Sequence, residues 1–207
     1  MPELINIQTY EKIVGTDYFP TLKKVELVLR RIEIWNDEIE KDFKNFKWKK
    51  EDDGFVYSSL MNLRYYKTKY SYLKIRPFIM VYTPSIASSF TENWIAFDLL
   101  IEADDLRHED YFEKTYDLIE VLVFEMFKEF RQTGIYFTDE AQDGQDFEGL
   151  RTNNSLKLWQ FDYALVPLTL KHIYKDIPSS HKGIERDNCL VFYDKDRWKK
   201  SPAHNIV

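Results

Sequence analysis

The chain has 207 residues, of which 44% are hydrophobic, 31% charged and 16% aromatic. That mixture can build a core, so global disorder is excluded, and the length suits one domain. A single cysteine, Cys189, excludes an intramolecular disulfide framework and a cysteine-only zinc site, and four histidines leave little for a histidine-rich one.

Formal net charge is −6 and it is unevenly spread. Residues 98–148 hold sixteen acids and four bases, residues 22–80 fourteen bases and nine acids, and residues 171–200 eight bases and five acids. Such blocks either are solvated faces or orient a charged partner or a second subunit. Met1-Pro2-Glu3-Leu4 does not start a basic segment with a long apolar run, so no secretory signal is expected. The most apolar window, 118–130, is interrupted by Glu120, Glu125, Lys128 and Glu129, too charged for a membrane span. A cytoplasmic location follows as the expectation, and Asn153-Asn154-Ser155 reads as a chance glycosylation pattern.

Residues 1–20 suggest a short helix or packed arm, punctuated by Gly15 and Pro20. Residues 21–47 predict one long helix. Leu22, Leu29, Asn36 and Phe43 recur every seven residues, interleaved with Val25, Ile32, Ile39 and Phe46. Leu27, Val28, Ile34 and Trp35 widen the stripe, which favours packing on a sheet over a two-helix seam, with self-association through this helix as the other reading. Phe55-Val56-Tyr57 starts a strand-like region. Residues 72–82 predict a strand whose Pro77 marks an edge or a break, and 94–102 predict a second strand. A second long helix is expected over about 110–132, with acids in its first turn and Gly134 as its cap. Residues 138–154 read as an acidic loop, mobile or binding, and 156–166 as a half-buried strand. A short strand at 189–193 follows, then a charged tail that Trp198 could dock. The expected fold is α+β: an antiparallel or mixed sheet flanked by two long helices, in one domain with a core over about 20–166 and an extension over 167–207.

Catalytic signals are sparse. Asp98, Glu102 and Asp104, at even spacings of four and two, could share a strand face and hold Mg²⁺ or Mn²⁺ for phosphoryl transfer. His108, His172, His181 and His204 lack visible partners for general-base work. Cys189 sits in an apolar strand without an activating neighbour. No nucleophile-elbow, P-loop or dinucleotide fingerprint occurs, and the six glycines are dispersed. The expectation is therefore a non-enzyme without cofactor that works through protein partners. Candidate partner-binding residues are the acids Asp139, Glu140, Asp143, Asp146 and Glu148 and the bases Arg64, Lys67 and Lys69. Stretch 64–76, basic and rich in tyrosine, is the one candidate for nucleic acid, against which the overall acidity argues.

Ile79-Met80-Val81-Tyr82-Thr83-Pro84, then Trp94 to Ile101, the helix at 111–130 and Leu158-Trp159-Gln160-Phe161-Asp162-Tyr163 follow an order that resembles the tail-completion and neck proteins of tailed bacteriophages. The match in pattern covers about residues 20–166. It implies a non-catalytic virion subunit in a homo-oligomeric ring at the head–tail junction, its charge blocks meeting between subunits. Two alternatives stand beside it. One is an immunity- or inhibitor-type protein that presents the acidic loop to a basic partner. The other is the metal-dependent enzyme built on Asp98.

Overall fold

The computed structural model describes residues 4–15, 17–45, 47–50, 56–58, 65–67, 74–82, 91–102, 112–139, 144–200 and 202. The elements in order are β1 (Leu4–Ile13), α1 (Phe19–Arg31), α2 (Asp37–Lys44), β2 (Trp48–Lys50), β3 (Val56–Ser58), β4 (Tyr66–Lys67), β5 (Lys74–Tyr82), β6 (Asn93–Glu102), α3 (Phe112–Phe127), β7 (Ile135–Asp139), α4 (Gln145–Thr152), α5 (Ser155–Leu158), β8 (Tyr163–Pro167), β9 (His181–Glu185) and β10 (Cys189–Asp194). The strands form one open sheet in the order β2-β3-β5-β6-β1-β7-β8-β10-β9, with β4 on β5. The pairings are antiparallel, so the class is α+β as the sequence predicts.

β1 corrects the reading of the first segment as a helix or arm. It lies mid-sheet between β6 and β7, and its polar residues find buried partners there. Thr9 Oγ1 donates to the Gly134 carbonyl at 3.0 Å, and Glu11 accepts from Thr21 Oγ1 at 3.0 Å and pairs with Lys24. Those partners are remote in sequence, which is why the segment's polarity masks its strand character.

The single helix over 21–47 is two helices. α1 ends at Arg31, and Glu33 turns the chain with a φ of 60°. Asn36, the polar member of the heptad series, is the N-cap of α2: its Oδ1 accepts from Ile39 N at 3.0 Å. Of the two long flanking helices expected, only α3, with 16 residues, is long.

Parity organises the core. Ile7, Ile79, Phe97, Leu99, Phe137, Leu165 and Val191 pack under α1 and α3. On the other face, Tyr10, Met80, Trp94 and Ala96 meet Phe147 of α4, which stacks on Tyr10 at 3.9 Å. Tyr136, Val166, Leu190 and Phe192 meet Leu158 and Trp159. The acidic loop is thus partly helical, and the strand expected from residue 156 starts at Tyr163. Asn154 instead caps α5, accepting from Leu156 N at 3.0 Å. Gly134 is not a left-handed cap. A Cβ there would lie 2.6 Å from the Tyr136 ring, so its reason is close approach.

The residues after Pro167 continue the sheet. β10 pairs β8, and β9 closes a hairpin with it. Trp198 docks, as its sequence position suggested, against Tyr163, Tyr116 and Phe137.

Candidate functional site

The break between α1 and α2 creates a surface groove. α1 starts with Pro20 in its first turn and buries Leu22, Val25, Val28 and Leu29. Its other flank carries Phe19, Lys23, Glu26 and Arg30. After the turn, Asn36 caps α2 at an angle that leaves Trp35 and Phe43 facing that flank, their rings 4.9 Å apart edge to face. The groove, about 390 Å³, is lined by Phe19, Leu22, Trp35 and Phe43, with Lys23, Glu26, Arg30, Glu40 and Lys44 at its rim.

Its residues are ordered among themselves. The Arg30 guanidinium lies 4.4 Å from the Trp35 ring and its Nε donates to Glu26 at 2.8 Å. Lys44 hydrogen-bonds Glu40 and holds that carboxyl below its usual range, with Arg30 adding to the effect. Phe19 remains 71% exposed, although Tyr18 stacks on one side of it. A large aromatic left in water beside an apolar groove is the feature expected of a protein-binding surface. The sequence signal for the groove was present: Asn36 followed by Asp37, Glu38 and Glu40 reads as a helix start. The heptad series running through Asn36 obscured it.

The charge blocks meet within the chain. Arg31, from the basic block, pairs with Glu125 at 2.8 Å and Glu129 at 2.7 Å in the acidic block. Arg197 pairs with Asp139 and Asp162, both at 3.0 Å, Lys200 with Asp117, and Lys157 with Glu148. The described acids of the candidate partner-binding loop are therefore engaged. Asp139 and Glu148 have basic partners, and Asp146 is 0% exposed, accepting from Gln8 Nε2 at 2.7 Å. Glu140 and Asp143 lie outside the described residues, as do Arg64 and Lys69. Lys67 is exposed and sits opposite Lys74 in the β4–β5 register, and Arg76 lies 5.7 Å from the Tyr65 ring.

The metal candidates are not gathered. Asp98 is 5% exposed on β6, opposite Gln8 of β1. Glu102 is opposite Leu4, four residues along the same strand, roughly 13 Å away. Asp104 lies outside the described residues. What the fold does bring beside Asp98 is Gln8, and on Gln8 sits Asp146, so two acids distant in sequence flank one buried amide. Next to them Tyr136 and Tyr174 share a hydrogen bond of 2.7 Å. Burial, first, and the charge of Asp146 push the Tyr136 phenol up. Among the described residues no group of three or more His, Cys, Asp or Glu is placed to hold a metal ion.

His108 and His204 lie outside the described residues, and His172 is exposed. His181 lines a smaller polar depression, about 270 Å³, with Ser180, Gln160, Asp194 and Arg197. Its Nε2 is 3.1 Å from the Phe161 carbonyl and its Nδ1 2.9 Å from Ser180 Oγ. A carbonyl only accepts, so Nε2 carries the proton and Nδ1 accepts from the serine. Burial lowers the His181 pKa and favours this neutral form. The Cys189 thiol is buried and pushed up by that burial, the opposite of an activated nucleophile.

No family model matches the chain, and no curated protein does. A solved structure, the Pseudomonas aeruginosa T6SS protein PA0821, aligns with 92% of this chain and 65% of its own, at 10% identity and a TM-score of 0.37. The chain thus spans less than two thirds of that protein's length. An overlap of this degree leaves function to be argued from the chain's own residues.

Asp162, the partner of Arg197 from the depression's lining, gives the chain's stability a pH dependence. Burial raises its carboxyl from 3.8 to about 6; Arg197 opposes the shift, and Asp139 and Asp194 add to it. The same contacts favour the charge of Arg197 against its own burial, so the guanidinium is held while the carboxylate remains only partly compensated. An acid with a raised folded pKa contributes most stability below its unfolded pKa and loses it as pH rises through the folded one. Between pH 4 and pH 7 the chain should lose up to about 3 kcal/mol from this group. Thermal unfolding of wild type and Asp162→Asn across that range checks this. The variant should show the shallower fall, and parallel slopes would refute the assignment.

Proposed function

We propose that the chain is a non-catalytic assembly subunit that binds another protein chain through the α1–α2 groove. The observation that carries this reading is Phe19, exposed beside a groove walled by Leu22, Trp35 and Phe43 and rimmed by both signs of charge. Groove binding of an apolar side chain uses surface that is already formed, so little ordering of the groove itself opposes it. The resemblance in element order to phage tail-completion and neck proteins agrees with an assembly role. β5, β6, α3 and a later strand do follow one another as in that pattern. Its finer version, a ring at the head–tail junction, leaned on opposed charge blocks meeting between subunits. Described members of those blocks pair inside the chain, so the groove, not the blocks, carries the proposal.

Affinity capture from the cells that make the chain tests it. A tagged wild-type chain should retain a stoichiometric protein, whether a foreign chain or untagged copies of itself. Phe19→Glu should lose it, because a carboxylate at that site cannot be desolvated cheaply. Equal capture by both baits would overturn the reading.

A further inference from the structure

We infer that the chain docked on this groove is a second copy of the same protein, packed two-fold with α1 antiparallel to its counterpart. The inference rests on the groove being a docking surface and adds its occupant.

A two-fold contact places residue i of one helix against residue j of the other and j against i, so the surface must complement itself. α1 does so about an axis between Lys24 and Val25. There Lys23 meets Glu26 of the second copy and Glu26 meets its Lys23. Phe19 meets Arg30, whose guanidinium already lies 4.4 Å from the Trp35 ring. The Phe19 ring thereby reaches the wall formed by Trp35 and Phe43, at the far end of the other groove from its own Phe19. Two independent pairs, charge with charge and aromatic with guanidinium, fall into place at one axis position. Shifting the axis by two residues either way sets Lys23 against Arg30 or Phe19 against Glu26, and the match is lost. The helix faces the ends of these pairs outward at spacings of three, four and seven, which is the spacing of one helix flank. At the rim Arg30 pairs with Glu26 and Lys44 with Glu40 inside the chain, so the rim presents both signs rather than a single charge suited to a strongly charged foreign partner. The contact is small, one helix flank with two flanking aromatics, so the dimer should form in proportion to concentration rather than be obligate.

Sedimentation velocity on the purified full chain, from low micromolar to near millimolar, reads this out. Wild type should pass from monomer to dimer. Lys23→Glu and Glu26→Lys should each weaken the dimer by about tenfold, because each sets like charges face to face twice. The double variant Lys23→Glu with Glu26→Lys exchanges the signs and should recover wild-type dimerisation. Both positions are on the helix exterior, and circular dichroism confirms that the variants fold. A monomer at every concentration overturns the inference. So does a larger oligomer, since a two-fold contact closes at two, and so does a double variant no better than the single ones. If purified chain stays monomeric while Phe19→Glu still abolishes capture from cells, the second copy fails as occupant and the docking groove stands.

Discussion

Replacing Trp198 with alanine is expected to destabilise the fold by about 3–5 kcal/mol. The indole is 2% exposed, stacks on Tyr163 with ring centres 4.5 Å apart and meets Tyr116 and Phe137 edge to face. It belongs to a short segment after β10 that hydrogen bonds hold on both sides. Trp198 N donates to the Asp194 carbonyl at 2.9 Å, and Tyr116 donates to the Arg197 carbonyl at 3.3 Å. Arg197 and Lys200 add ion pairs to Asp139, Asp162 and Asp117. The surface pairs are each worth little, so the indole carries most of the docking. A loss of that size is a large fraction of the stability of an ordinary domain. Urea unfolding gives the test. The midpoint should fall strongly for Trp198→Ala and much less for Trp198→Phe, which keeps ring contacts and removes an indole N–H that has no acceptor among the described residues. A cost below about 1 kcal/mol for alanine would show that the segment is not docked in solution.

Gly149→Ala is expected to be at least as damaging, although alanine is the better helix former by about 1 kcal/mol. Gly149 lies in α4 where α5 crosses it. A Cβ there would stand 2.3 Å from the Leu158 nitrogen, 2.5 Å from its Cα and 2.7 Å from the Lys157 carbonyl carbon. These are backbone atoms, and they cannot swing aside as a side chain would. Relief requires α4 and α5 to separate, which also disturbs Phe147 on Tyr10 and Leu158 beneath the sheet. The expected result is a loss of about 3 kcal/mol or more, with reduced near-ultraviolet dichroism from the aromatic cluster. Gly15→Ala is the comparison. Its backbone φ of 59° strains alanine, but no described residue stands within 4 Å of the new methyl, so about 1–2 kcal/mol is expected. A neutral or stabilising Gly149→Ala would refute the close crossing.

Parts of this architecture were legible in the residues. β5, β6, α3 and β10 fall where apolar runs and helical spacing place them. The docking of Trp198 followed from a large indole in a charged tail. The site was less legible. Phe19, Trp35 and Phe43 were visible only as members of a wide helical stripe. They become a groove because Glu33 adopts a left-handed backbone and Asn36 caps a new helix. Heptad spacing continued across that break because Ile32 and Ile39 both return to the core from separate helices. Asp98 was legible as an acid in a strand, but its neighbours Gln8 and Asp146 come from the first strand and from a helix far along the chain.

What the sequence determined by itself was local: which stretches carry strand or helix spacing, that the fold is α+β, and that acids and bases are segregated along the chain. What only the tertiary structure decided was partnership. β1 became a central strand because buried polar side chains met acceptors and donors more than a hundred residues away. The charge blocks, which in sequence pointed to another molecule, turned toward one another because α1, α3 and the C-terminal segment lie side by side. Strand alternation did not separate wet from dry because helices cover both faces of the sheet, so parity assigns a residue to one apolar layer or the other. Spacing acts over a few bonds and is written in order along the chain, whereas burial and pairing depend on distance in space, which the order of residues alone does not set.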